Sequence, residues 1–259
     1  MILVFGGTTE GKQVIEVLKE LQLAFVYSTK TEIEVKLGDK GTYRFGAFSK
    51  ESLENFIKEN EISLIIHASH PFAQELHQTI HEATIQPAVP VVRIERSYPE
   101  HSDHKTVHYV ANYEEAIVLL QDQYKGKKLL ALSGVQSIEK LKSHWQKTSS
   151  YFRILDRKSS IDLALQNGFP EDQLILGLPN KTVEAELKLI DQYDIEVMLT
   201  KESGDSGSLS VKIDSALQSK ISIIVIKKTK LPSSFQLVQT TQKLIEFIIH
   251  NSKLISNQA

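Results

Sequence analysis

Residues 5–13, FGGTTEGKQ, carry the densest chemical signal in the sequence. Read from Gly6, they run G-x-x-x-x-G-K, lacking only a hydroxyl after the lysine to be a nucleoside-triphosphate loop. They also run G-x-T-x-x-G, one glycine short of the dinucleotide fingerprint. Either loop sets backbone N–H groups and a helix N-terminus against a phosphate. A triphosphate loop needs a hydroxyl for Mg²⁺ and an acid ending another strand. Gln13 stands in the hydroxyl position, and the strand-like ISLIIHAS carries His67 where that acid belongs. Glu202 and Asp205 lie past a later strand, among glycines. The dinucleotide reading asks for strand, turn and helix, and ILVFGGTTEGKQVIEVL has that order. Gly6, Gly7, Thr8, Thr9, Glu10 and Gly11 are its expected ligands, with the Thr8 and Thr9 hydroxyls donating where a second glycine is usual. A plain strand-to-helix turn is the alternative.

About 20 residues past such a loop, an acid ordinarily receives the ribose 2′-hydroxyl. Here the second strand ends VYSTKTE, presenting Ser28, Thr29 and Lys30 with no acid before Glu32. Hydroxyls and a lysine suit a 2′-phosphate, so NADPH is expected over NADH.

Two further constellations have chemistry in them. Only five of the 30 basic residues are arginine, and four form two clusters, Arg93 and Arg96 in VVRIER, Arg153 and Arg157 in FRILDR. Each cluster adjoins a strand, where a guanidinium can fork onto a carboxylate ligand; ion pairs with Glu95 and Asp156 are the alternative. Seven of the nine histidines fall between 67 and 108. His77 and His81 sit one helical turn apart, but no third ligand is implied, so no protein-bound metal is expected. His70 follows a strand and precedes Pro71, placed to meet a cofactor or substrate, to donate a proton, or simply to cap a helix. Ser133 and Gly134, after KLLAL, form another strand-end turn that can hold a carboxylate through N–H groups or merely connect two elements.

The elements that must position these residues alternate along nearly the whole chain. Short apolar runs such as ILVF, ISLII, KLLAL and ISIIVI are separated by segments of helical period. EIEVKLGDKGTYRFGAF reads as a hairpin or strand extension, Ser49 as a helix cap, and 233–250 as one long amphipathic helix. Strands of this kind form parallel sheets covered on both faces. About ten strands are many for one sheet, and the polar stretch SYPEHSDHKT divides them. The expected architecture is α/β, with two doubly wound Rossmann-like domains of parallel sheet and an interdomain cleft: residues 1–96 for dinucleotide binding, 97–106 as linker, 107–259 as the second domain. The 259 residues are 41% hydrophobic and 24% charged, with net charge −2 and no cysteine. This excludes disulfides and thiol chemistry and gives no general attraction to nucleic acid or an anionic membrane. No apolar run reaches membrane-spanning length and no secretory leader precedes the first strand, so a cytoplasmic protein is expected. Composition leaves oligomeric state open.

Several segments together resemble one family, the precorrin-6A reductases of cobalamin biosynthesis and their cobalt-precorrin counterparts. ILVFGGTTEGK is similar to the family's ILVLGGTTEGR, and His70-Pro71-Phe72-Ala73 to the end of DATHPFA. Arg93, Glu95 and Arg96 match VRxERP; Thr200, Lys201, Ser203 and Gly204 match TKDSGG; Ser133-Gly134 resembles TTG. The motif order is kept over most of the chain. The departures are His67 for Asp, Ser69 for Thr, LGLPNKT for MQGPFS, and Asp205 within the glycine pair. The resemblance implies hydride transfer from a nicotinamide cofactor to a ring carbon of precorrin-6A or cobalt-precorrin-6A, with a proton added to the neighbouring carbon and any cobalt belonging to the substrate. It also implies His70 as the catalytic candidate and Ser69 on the cofactor side. On the substrate side it puts Arg93, Arg96, Ser133, Gly134, Lys201, Ser203 and Gly204, and the strand-flanking Arg153 joins these cations in answering the macrocycle's many carboxylates. A non-catalytic dinucleotide sensor is the competing function, and it has no use for a basic mouth of that size.

Overall fold

The computed structural model describes residues 1–251. The chain divides into two compact units, one formed by Met1–Ser97 together with 229–251 and the other by Tyr98–Lys228.

The first unit begins β1 (Ile2–Phe5), α1 (Thr9–Glu20), β2 (Phe25–Thr29), β3 (Gly41–Phe45), α2 (Lys50–Glu59), β4 (Leu64–His67), α3 (Gln74–Ile85) and β5 (Val91–Ile94). The second contains β6 (Val107–Val110), α4 (Tyr113–Asp122), β7 (Leu129–Leu132), the short α5 (Ser137–Lys140) and α6 (Lys142–Trp145), β8 (Ser150–Ile154) and α7 (Lys158–Gln166). It continues with β9 (Leu174–Leu176), α8 (Val183–Gln192), β10 (Val197–Lys201), α9 (Leu209–Gln218) and β11 (Ser222–Ile226). The chain then returns to the first unit for β12 (Gln236–Val238) and α10 (Thr241–His250).

Among the described residues these make two six-stranded sheets, ordered β12-β5-β4-β1-β2-β3 and β6-β11-β10-β7-β8-β9, with parallel pairing throughout. Each sheet is α/β and doubly wound, with β1, β4 and β7 buried along their whole length. In each the sixth strand comes from outside the unit's own run of five. β6 directly follows the first unit yet pairs with β11, and β12 directly follows the second yet pairs with β5.

The last segment therefore departs from the sequence reading in two ways. Residues 229–251 belong to the first unit, although the sequence assigned 107–259 to the second. The span 233–250 is also not one helix. Phe235 and Val238 turn inward, β12 covers the open edge of β5, and Thr240 then caps α10 by accepting the Lys243 N–H at 3.2 Å. The hydrophobic period was real, but an unpaired sheet edge outcompeted helix propagation. The segment read as a hairpin differs too. β3 pairs parallel to β2, and residues 33–37 form no strand; Tyr43 Oη ties them down by accepting the Ile33 N–H at 2.8 Å. Ser49 caps α2 as expected, in a capping box with Ser52.

Candidate functional site

β1 lies between β4 and β2, so the β1–α1 loop sits where strand order reverses, the place where doubly wound sheets bind ligands. Its glycines are enforced by the ring beneath them. A Cβ on Gly6 would stand 2.1 Å from the Tyr27 ring and one on Gly11 2.6 Å from Tyr27 Oη. Gly7 has φ 90°, a left-handed value. Thr8 caps α1: its hydroxyl accepts the Gly11 N–H at 3.0 Å and donates to Ala68 O at 2.6 Å. That hydroxyl ties the loop to β4, which replaces its expected role as a phosphate donor. Gly7 N–H similarly goes to Tyr27 Oη at 2.9 Å. Thr9 is exposed and opens the helix. Ser69, immediately beyond the Ala68 carbonyl that Thr8 holds, is 8% exposed, and its hydroxyl makes no hydrogen bond among the described residues. An orphaned hydroxyl at a strand end beside a glycine turn and helix N-terminus is a donor set for a phosphate-bearing group.

At the end of β2, Ser28 and Thr29 are buried and their hydroxyls engaged. Ser28 Oγ receives Arg44 Nη1 at 2.6 Å, while Thr29 Oγ1 donates to Thr31 O at 2.8 Å and lies 2.7 Å from Tyr43 Oη. Lys30, next along, is exposed. Ser28 and Thr29 thus shape this end of the sheet from beneath, and Arg44, overlooked in the sequence, is the cation that Ser28 presents. Arg44 stands outside the two arginine clusters, in a segment that read as a hairpin; strand alternation alone did not bring it to the end of β2.

β4 ends in the turn that holds His70, Pro71 and Phe72. His70 is exposed, and its Nδ1 accepts the Phe72 N–H at 3.2 Å, so the neutral ring carries its proton on Nε2. Beneath the turn lies a buried histidine pair, His67 Nε2 to His77 Nδ1 at 2.8 Å. Pro71 O, an acceptor, is 3.1 Å from His77 Nε2 and receives the Thr229 hydroxyl at 2.8 Å. His77 therefore bears its proton on Nε2, and His67 donates to it. Burial first, then the Arg93 charge, holds the His67 pKa well below the ordinary value; burial chiefly lowers that of His77. His77 and His81, one helical turn apart in α3, do not share their surroundings. His77 is 2% exposed and His81 turns away to Ser234 Oγ at 2.9 Å. Among the described residues no three His, Asp or Glu side chains gather as metal ligands.

Three of the four clustered arginines expected as ligands are engaged in buried ion pairs. Arg93, 1% exposed, reaches Glu95 Oε2 at 3.4 Å and Ser69 O at 3.2 Å. Arg96 pairs with Glu10 at 2.9 Å, both buried. Glu10 would otherwise place a negative charge in the first turn of the loop's own helix, and Arg96 offsets it. Arg153 pairs at 2.8 Å with Glu186, which has no exposed surface; Asp156 is not its partner. Arg157 is exposed.

In the second unit, Gly134 follows β7 with φ 82°, and Ser133 Oγ donates to Ser137 Oγ at 2.7 Å, which in turn donates to Gly134 O at 2.6 Å. Lys201 closes β10, followed by the buried Ser203 and by Gly204 at φ 68° and ψ −167°, a backbone region open essentially to glycine. Burial and then Lys140 push the Lys201 ammonium down to about 8. Lys212, on the same helix face as Leu209 and Ala216, is 3% exposed and donates to Thr200 Oγ1 at 3.2 Å. Burial, with Arg153 next, pushes it down to about 7, while Glu186 opposes the shift. Its helical spacing among apolar positions was the available signal for its burial.

The family model described as Precorrin-6x reductase CbiJ/CobK matches residues 1–249. The chain belongs to that family. Membership makes it an oxidoreductase of cobalamin biosynthesis, as the motif resemblance implied. Among its relatives, the cobalt-precorrin-6A reductase of Priestia megaterium is 29% identical over 89% of this chain and 91% of its own length. That of Methanocaldococcus jannaschii is 27% identical with the same coverages, and the precorrin-6A reductase of Rhodococcus erythropolis is 25% identical over 95% and 96%. A solved CobK precorrin-6A reductase superposes with a TM-score of 0.78 at 19% identity, covering 96% of both chains, which supports the doubly wound fold. No helix among the described residues is long and apolar enough to cross a membrane.

Proposed function

We propose that this family member reduces precorrin-6A or its cobalt form with NADPH, and that the first unit holds the cofactor. The observation that carries the cofactor assignment is the β1–α1 loop at the switch point, with the buried Ser69 hydroxyl left without a partner among the described residues beside it. The helix N-terminus after Gly7 and Thr8 holds the pyrophosphate, Ser69 supplies a hydroxyl, and the end of β2 receives the ribose. When bound, reduced nicotinamide supplies the hydride. The accompanying proton is held at His70 Nε2, on an exposed ring fixed through Nδ1 and through the Pro71 carbonyl anchored by His77 and Thr229.

Carboxylates of the macrocycle are received by the second unit's strand-end residues Ser133, Gly134, Lys201, Ser203 and Gly204. Arg93, Arg96 and Arg153, being buried in ion pairs, act by holding β5, the loop helix and β8 in place. Cobalt, where present, travels with the substrate.

The test mixes the protein with NADPH and either precorrin-6A or cobalt-precorrin-6A and follows the macrocycle's absorption. Spectral conversion coupled to NADPH oxidation is expected with one macrocycle at least. Absence of conversion of both, with either NADPH or NADH, rejects the proposal.

A further inference from the structure

The charge left over in the first unit lies at the far end of its cofactor edge. Arg44, on edge strand β3, stands opposite Ser28 in the parallel register with β2. Its guanidinium is held rigidly by neutral groups: Nη1 to Ser28 Oγ at 2.6 Å, and Nη2 to Phe45 O at 3.1 Å and Gly46 O at 2.9 Å. The guanidinium carbon lies 3.7 Å from the centre of the Phe48 ring. Arg93, Arg96 and Arg153 each have a carboxylate at 3.4 Å or less, whereas Arg44 has none within ion-pairing distance among the described residues. Three of the five guanidinium N–H groups are used; Nε–H and the second Nη1–H make no hydrogen bond among the described residues. A half-buried cation held by hydroxyl, carbonyls and an aromatic face, and not neutralised, retains its charge for an anion that arrives from outside.

The position specifies the anion. In a dinucleotide-binding sheet the end of the second strand meets the adenosine ribose. Residues 28–31 are Ser, Thr, Lys and Thr, so the acid that would receive a 2′-hydroxyl is absent there, and exposed Lys30 adds a second cation.

We propose that Arg44 is the specificity-determining residue for the cofactor, with Lys30 in support, forking onto a ribose 2′-phosphate and so selecting NADPH over NADH. The proposal rests on the dinucleotide reading of the β1–α1 loop. The competing role, an edge staple that merely fastens β3 to β2, uses the same hydrogen bonds but is indifferent to the 2′-phosphate.

The experiment measures dissociation constants of NADPH, NADH, 2′-AMP and 5′-AMP by calorimetry for wild type, Arg44→Leu and Arg44→Lys, with circular dichroism and melting curves confirming that each is folded. Loss of charge-assisted hydrogen bonds to phosphate predicts roughly 10–100-fold weaker NADPH binding by Arg44→Leu, with NADH changed less than about threefold. Arg44→Lys retains the charge without the fork and should fall between, and 2′-AMP should follow NADPH while 5′-AMP follows NADH. Parallel loss of NADPH and NADH, or an unchanged preference in both variants, overturns the role of Arg44 alone. A wild type that binds neither dinucleotide overturns the loop reading and this proposal with it. If Arg44→Leu proves unfolded, Arg44→Lys decides by the same ratio.

Discussion

The two sheets share one strand order, yet the residues at their carboxyl ends handle charge in opposite ways. In the first unit Arg93 and Arg96 are neutralised at once by Glu95 and Glu10, the loop relies on backbone N–H groups and a helix dipole, and Arg44 alone among the three keeps its charge unpaired. In the second unit cations are gathered close together, with Arg153, Lys181 and Lys201 all acting on the buried Lys212. Lys201 and Lys212 are both depressed by burial, and Arg153 pairs with the buried Glu186. In the proposed function, one strand order serves two kinds of anion. A phosphate on a loop needs little more than oriented N–H groups; several carboxylates on a large flat substrate need fixed side-chain cations, and packing them together lowers their proton affinity.

The contrast between the two units depends most on Arg153. Replacing it with Met strands the fully buried Glu186, and the expected loss of stability is about 3–5 kcal/mol in denaturant unfolding. Adding Glu186→Leu should recover most of it. A single variant of unchanged stability with a raised KM for the macrocycle would instead return Arg153 to the substrate-contact role.

His70→Ala tests whether the first unit contributes chemistry beyond cofactor binding. Loss of a positioned proton donor predicts roughly a 100-fold drop in kcat with the melting temperature nearly unchanged, since the ring is exposed. An unaltered turnover number removes His70 from the mechanism.

Lys212 sharpens the second unit. Its ammonium pKa is about 7 folded against an ordinary 10.5, so between these limits the unfolded chain holds a proton that the folded chain has released. Stability from this group therefore rises as pH climbs from about 7 to about 10.5 and is flat below 7, with a slope of at most ~1.4 kcal/mol per pH unit. Lys201 acts with the same sign from about 8 upward, so the quantity to measure is the difference between wild type and Lys212→Met. The variant should be the more stable near pH 7 and lose that advantage as pH rises; a pH-independent difference would refute the depressed ammonium.

The smallest effect concerns Lys201 itself. Charged below about 8, it should bind a substrate carboxylate there and release it above, giving a KM that rises several-fold between pH 7 and 9. Lys201→Gln should show a high, flat KM. A wild-type profile as flat as the variant's would exclude Lys201 from substrate binding.

Much of this was legible from local pattern. Strand–turn–helix around Gly6–Gly11, the helical and continuous apolar periods, and the order of the short motifs suffice for a doubly wound α/β reductase, because each depends on residues near one another in the chain. Ser28, Thr29 and Ser49 could be placed at element ends for the same reason. Their partners could not be. Glu10 meets Arg96 across 86 residues, Arg153 meets Glu186 across 33, and His67 finds His77 only because α3 folds back over β4.

Those long-range pairings decide which cations remain available. The four clustered arginines looked like ligands because clustering is visible in sequence, but burial supplied three of them with carboxylates; in the first unit that left Arg44, which sequence spacing did not distinguish. The exchange of sixth strands is of the same kind. Nothing local in FQLVQTTQKLIEF separates a helix from a short strand and a helix; the exposed edge of β5, more than 130 residues earlier, makes that choice by offering backbone hydrogen bonds that only a strand can complete.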